Sequence, residues 1–297
     1  MTGRMLALAA LAAAGLAATG AAPRRGSGAM DLRARVRREE PPGSGRWRAE
    51  EVRLRWDPRQ TAVILCDMWD KHWCSGATAR VAEMAPVMNQ VVRAARRRGM
   101  LIVHAPSETM EHYKDTPQRR RALEAPDAPP PPPSFAIRPP EPPLPIDDSD
   151  GGCDSGEKPW HRAWSRQHPA IAIAPEDVLT DSGEEVWRLF RARGIQNVLI
   201  MGVHTNMCVL GRPFGIRRLV GLGLNVALVR DMTDSMYNPE RPPHVSHFRG
   251  TELVVEHIER HWCPSVLSSE LTGRPPFTFR ASALLQQQPD EAEVVPL

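Results

Sequence analysis

Residues 61–67 read TAVILCD, six uncharged and mostly apolar positions closed by a carboxylate. A run this short and continuous is the composition of a strand buried on both faces, as in a parallel sheet, rather than the alternation of a strand with one wet face. Downstream, Val81, Met84, Val87, Met88, Val91 and Val92 fall on one helical stripe and predict a helix over 79–98 that stops at Gly99. MLIVHAPS (100–107) then reads as the next strand. Strand, helix and strand in that order predict a βαβ unit.

The same rhythm returns after residue 170. AIAIA (170–174) reads as a short strand, and 181–193 as a helix capped by Asp181 or Ser182 and ended by Gly194. QNVLIMG (196–202) is a strand, 206–220 a helix, LNVALVRD (224–231) a strand, and GTELVVEHIERHW (250–262) a last amphipathic helix. The expected fold is α/β, a three-layer αβα sandwich around an open, mainly parallel sheet of about five or six strands. Such sheets bind ligands at the carboxyl ends of their strands.

The chain has 297 residues, 41% of them hydrophobic, enough for a full core. Its net charge of +3 calls for neither a nucleic acid nor an anionic membrane as partner. Arg4 followed by an Ala/Leu-rich stretch to Ala22 has the build of an export signal. The expected organisation is a signal peptide or N-terminal anchor (1–22), an extended arm (23–57), a hydrolase domain (58–267) with a Pro-rich insertion (124–160), and a tail (268–297). The expected location is accordingly periplasmic or extracellular, or N-terminally anchored, with no stable membrane span once the signal is cleaved. Within the insertion, proline denies helix and central strand, and DDSDGGCD (147–154) reads as a solvated acidic turn that misses the EF-hand spacing. Five cysteines, an odd number, show no metal-clip spacing.

Two residues carry chemistry. Cys208 falls just after the strand ending at Gly202, in the predicted first turn of the next helix, where free amides and the helix dipole favour a thiolate. Asp67 ends TAVILCD; if its strand lies beside the one ending at Gly202, both residues share one mouth of the sheet, and the carboxylate can take the thiol proton. Packing for Cys208 and turn-capping for Asp67 are the plainer alternatives.

AVILCDMWD together with GIQNVLIMGVHTNMCV resembles the isochorismatase-like cysteine hydrolase superfamily, through Asp67, Gly202, Thr205, Cys208 and Val209. The resemblance implies an αβα sandwich and a Cys-Asp-Lys triad. Cys208 would attack an amide carbonyl, Asp67 would serve as base and then acid, and water would hydrolyse the thioester. It also implies a cis peptide at Val203-His204 and an oxyanion hole formed by the amides of His204 and Cys208. The family lysine falls where this chain has Ala174, Pro175 and Glu176, so Lys158 is the candidate replacement. The Asp-x-His zinc motif of nicotinamidases is missing from HAPSETMEHY, so no metal and no cofactor is expected. Trp69 and His72, together with His104, are the expected substrate-binding residues. The function expected is a cysteine hydrolase of a small amide or related C–N bond. The alternative is a catalytically weakened homologue binding a small molecule or partner. The resemblance also implies association into a homo-oligomer.

Overall fold

A computed structural model describes residues 28–131, 141–158 and 161–282. The N-terminal signal or anchor lies outside them, as do part of the Pro-rich insertion and residues 283–297 of the tail. The strands are β1 (Met30–Glu39), β2 (Trp47–Trp56), β3 (Thr61–Cys66), β4 (Leu101–Ala105), β5 (Val178–Leu179), β6 (Asn197–Val203), β7 (Asn225–Asp234) and β8 (Ser265–Val266). The helices are α1 (Ser75–Arg97), α2 (Met110–Tyr113), α3 (Pro117–Leu123), α4 (Gly183–Arg193), α5 (Ile216–Gly221), α6 (His247–His261) and α7 (Ser269–Thr272).

All eight strands form one sheet in the order β2-β1-β8-β7-β6-β3-β4-β5. The run from β5 to β8 is parallel throughout. At its centre β3 pairs with β4 and β6, setting Cys66 beside Ala105 on one side and Gly202 on the other. Every residue of β3 is buried, as its uninterrupted apolar run requires.

Alternation along β3 divides two cores. Ala62, Ile64 and Cys66 pack with Val186 and Phe190 of α4, Leu219 of α5 and Val254 and Ile258 of α6. Val63 and Leu65 face the opposite layer with Val81, Met84, Met88 and Val91 of α1. Helices on both faces make the αβα sandwich. Among the described residues no helix is long and apolar enough to cross a membrane.

Three segments depart from expectation. The stretch 30–56 of the expected arm is an antiparallel hairpin, which extends the sheet by pairing Ala34 and Arg35 with Val266 and Ser265. AIAIA is a loop: the amide of Ala172 donates to the Asn89 side chain, and the edge-strand position goes to Val178 and Leu179. Apolar composition signals burial there but does not choose the pairing partner. The helix expected over 206–220 is broken into a π turn (Thr205–Val209) and α5, with Pro213, which has no N–H to donate, between them.

The acidic stretch 147–154 is a strap over the carboxyl ends of the strands rather than a solvated turn. Asp147 pairs with Arg241 at 2.7 Å, Asp148 accepts from Asn206 at 2.7 Å, and Asp150 accepts from Asn238 at 3.0 Å. Asp154 binds Arg80 at 2.6 Å.

Candidate active site

Asp67 leaves β3 with φ of +47°, a left-handed conformation that aspartate tolerates better than most residues. The turn aims its fully buried carboxylate across the strand ends. There Oδ1 accepts the amide N–H of Ser107, just beyond β4, at 2.8 Å. Oδ2 accepts Nε of Arg212 at 2.9 Å. The Cys208 thiol is the third partner of the same carboxylate.

Cys208 reaches this position because β6 ends in a tight turn. Gly202 has φ of +119°, and a Cβ there would stand 2.0 Å from the Cys66 carbonyl oxygen. Only glycine lets β6 pass so close to β3. The next peptide, Val203–His204, is cis. The amide of Val209 then donates back to the His204 carbonyl at 3.0 Å, closing the π turn, and the amide of His204 points at the Cys208 sulfur. Behind the turn, Asn206 is buried between Asp148 of the strap and the backbone of Met236.

The electrostatics reverse one expectation. Burial pushes the Cys208 thiol up to about 12, with the Asp67 charge adding to it, while Arg212 and the His204 amide oppose. Burial also raises Asp67 above its ordinary 3.8, against the pull of Arg212, Ser107 and Cys208. The thiolate expected from a helix start is therefore not the resting form. A five-residue π turn replaces the long helix, and a carboxylate faces the sulfur. The protonated thiol faces a carboxylate chemically able to accept its proton.

Arg212 is the residue that sequence reasoning missed. It stands four residues after Cys208, and its amide donates to the Cys208 carbonyl at 2.9 Å, so one helical turn returns its guanidinium to the Asp67 carboxylate. The signal is present in the i, i+4 spacing of Cys208 and Arg212. Lys158 is an exposed residue four positions beyond the strap, and among the described residues the cation on Asp67 is Arg212.

The aromatic residues after Asp67 do gather at this mouth. Trp69 stacks on Trp164 at 4.1 Å, His72 stacks on Trp164 at 5.7 Å, and His72 meets His204 edge-on at 4.9 Å. Trp164, just past the end of the insertion, was not anticipated. With Trp73 these tryptophans form a small apolar cluster against which Cys208 packs. Burial lowers the His72 imidazole to about 4, and its Nδ1 accepts the Cys74 amide at 3.1 Å. His204 is likewise held neutral by burial, and its Nε2 has no hydrogen-bond partner among the described residues. Asp67, Trp69, His72, Val203 and His204 line a cavity of about 10 Å³, space for one water at most.

His104 does not belong to the substrate wall. Its Nδ1 lies 2.8 Å from Gln167 Oε1 and its Nε2 2.9 Å from Asp177 Oδ2, so both ring nitrogens serve a buried structural network completed by Arg96. His257 likewise spends its Nε2 on Glu141 at 2.8 Å.

No protein-family model matches the sequence, and no curated protein matches it. Solved structures do. The chain resembles isochorismatase-family and cysteine hydrolase structures. A cysteine hydrolase from Pseudomonas syringae pv. phaseolicola aligns with a TM-score of 0.47 and 19% identity, over 74% of this chain and 95% of its own. A putative isochorismatase from Burkholderia xenovorans aligns at 0.44 and 15%, over 76% and 96% respectively. An isochorismatase from Pseudomonas putida aligns at 0.43 and 11%, over 72% and 91%. The chemistry below rests on the site of this chain itself.

Proposed function

We propose that the protein is a cysteine hydrolase that cleaves a small amide or related C–N bond through a thioester on Cys208. The observation that carries this reading is the single buried carboxylate of Asp67 held between the Cys208 thiol, the Arg212 guanidinium and the Ser107 amide. A neutral thiol against a buried carboxylate is a nucleophile with its base in place.

In the first step the thiol proton passes to Asp67 as sulfur adds to the carbonyl carbon. In this reading the backbone amides of His204 and Cys208 stabilise the developing oxyanion. Asp67 then returns the proton to the departing amine, the C–N bond breaks, and a thioester remains. Water, deprotonated by Asp67, adds to the thioester, and the C–S bond breaks to release the acid and restore the thiol. Arg212 stabilises the ionised carboxylate at both stages, the duty a lysine would otherwise perform.

Recognition falls to the walls. Trp69 and His72 flank the small cavity beside Asp67, and the unpartnered Nε2 of His204 offers one polar contact there. The experiment is intact-mass spectrometry of the protein mixed with a panel of small aromatic and aliphatic amides. The reading expects a mass increase equal to the acyl group on Cys208, trapped most strongly when hydrolysis is slowed at low temperature. Ammonia or amine release without any adduct or Cys208 dependence would refute it.

A further inference from the structure

Cys74 and Cys153 lie 79 residues apart, and no spacing rule pairs them. The fold brings them together. Cys74 is the N-cap of α1, and Cys153 follows Gly151 and Gly152 in the strap, both at positive φ. A Cβ on Gly152 would stand 2.3 Å from the Met236 carbonyl oxygen, and one on Gly76 would stand 2.5 Å from Asp154 Oδ1. Glycine at 152 lets the strap pass close over Met236, and glycine at 76 lets it lie directly against the start of α1. As a result the sulfurs of Cys74 and Cys153 and a carboxylate oxygen of Glu157 all lie within 4.8 Å of one another.

From this geometry we infer that Cys74, Cys153 and Glu157 form a binding site for a divalent zinc-like cation, separate from the catalytic cysteine. Two thiolates and a carboxylate are the donor set of a borderline-soft metal. In a tetrahedral site with Zn–S of about 2.3 Å the two sulfurs stand about 3.8 Å apart, a span the cluster meets with sub-ångström adjustment. The third donor argues for a cation over a disulfide. Glu157 Oε2 is 3.2 Å from Cys153 Sγ, Asp154 Oδ1 is 3.6 Å from Cys74 Sγ, and a disulfide has no proton or charge to offer either carboxylate. The Ser155 hydroxyl, 3.3 Å from Cys74 Sγ and 3.5 Å from Cys153 Sγ, adds a further oxygen to the same cluster. The nearby guanidinium of Arg80 is already committed to Asp154 and Asp234. Zinc binding displaces the two thiol protons to solvent and leaves a fourth position for water, so no redox partner is required. The metal would pin the strap to α1 beside the tryptophan cluster, two residues beyond His72.

The test uses the full-length protein, reduced and stripped with a chelator, then titrated with Zn²⁺ while free thiols are counted. The expected result is one Zn²⁺ per chain, with Cys74 and Cys153 protected from alkylation. Co²⁺ should give a thiolate charge-transfer absorption that both Cys74→Ser and Cys153→Ser abolish. The milder Glu157→Gln should keep the fold by circular dichroism and weaken zinc about tenfold or more. Cys208→Ala should bind zinc as the parent does, which separates this site from the nucleophile. Absence of stoichiometric zinc, zinc retained in both cysteine variants, or zinc lost in Cys208→Ala would overturn the inference. So would closure of the two thiols into a disulfide, seen as an intact mass two hydrogens lower, in place of zinc uptake.

Discussion

Arg212 donates Nε to Asp67 Oδ2 at 2.9 Å across 145 residues of sequence, while its own amide is bonded to the carbonyl of Cys208. The guanidinium, the carboxylate and the Cys208 turn are thus tied into one unit, and each should report a change in the others. Removing the guanidinium leaves Asp67 buried without its counter-charge. Arg212→Met should therefore lower kcat/KM by roughly 10²-fold or more, with Arg212→Lys recovering part of the loss. The sign of the pH effect is fixed. Arg212 holds the Asp67 value down, so in Arg212→Met the acid limb of kcat/KM should move to higher pH; a limb that stays in place would deny Arg212 its role.

Asp67→Asn gives two opposite readouts. Turnover should fall steeply, since the general base is gone. The cysteine itself should become easier to ionise, because the Asp67 charge is one of the forces holding its thiol near 12 while Arg212 pulls the other way. Iodoacetamide labelling of Cys208 followed against pH should show a midpoint about 1–2 units lower in the variant than in the parent. A midpoint that stays in place would show that the Asp67 charge does not act on the sulfur.

How much of this was legible in the sequence follows from what each signal depends on. β3 and β6 could be read because burial on both faces writes itself as an apolar run, and their shared mouth followed from adjacency. AIAIA misled because the same apolar pattern fits a loop whose amides are satisfied by side chains. The break at Pro213 was written in the chain, but the π turn before it depends on β6 ending against β3 at Gly202, a tertiary fact. The strap was illegible for a different reason. Its carboxylates find Asn206, Asn238, Arg241 and Arg80 far away in sequence, and such one-to-one pairs leave no periodic trace.

Gly202→Ala tests the close approach that sets the nucleophile. The new methyl would stand 2.0 Å from a backbone oxygen of the central strand, which cannot turn aside as a side-chain tip would. The φ of +119° adds strain for any residue with a Cβ. A loss of about 3 kcal/mol or more is expected by urea unfolding, together with loss of Cys208 reactivity. Alanine tolerated there with normal turnover would mean that the turn is not under this constraint.

Asn206→Ala should weaken the turn from behind. The side chain donates to Asp148 and to the Met236 carbonyl, and its oxygen accepts the Met236 amide, the two Met236 bonds buried and the Asp148 bond partly so. Truncation leaves the Met236 amide and the Asp148 carboxylate short of a partner, a cost of about 2–3 kcal/mol. Asp148→Asn, which keeps an acceptor oxygen, should cost less than half of that in the same unfolding assay. Equal losses would place the effect in packing rather than in the hydrogen bond to the strap.

Glu141 anchors the other described end of the insertion, and its contribution has a definite pH signature. Burial alone would raise its pKa, but hydrogen bonds from Arg217, His257 and Trp262 outweigh it and hold the carboxyl at about 2, against an ordinary 4.5. A value depressed in the folded state means that the folded protein favours the ionised form. The resulting stability is fully present above about pH 4.5 and drains away as pH falls toward about 2. Because the carboxylate keeps some solvent contact, the effect is discounted to about 1–2 kcal/mol. Glu141→Gln should therefore be less stable than the parent at neutral pH, and the gap between the two urea midpoints should narrow as the pH is lowered through that window. A gap that is constant with pH would show that the loss comes from hydrogen-bond geometry and not from the charge.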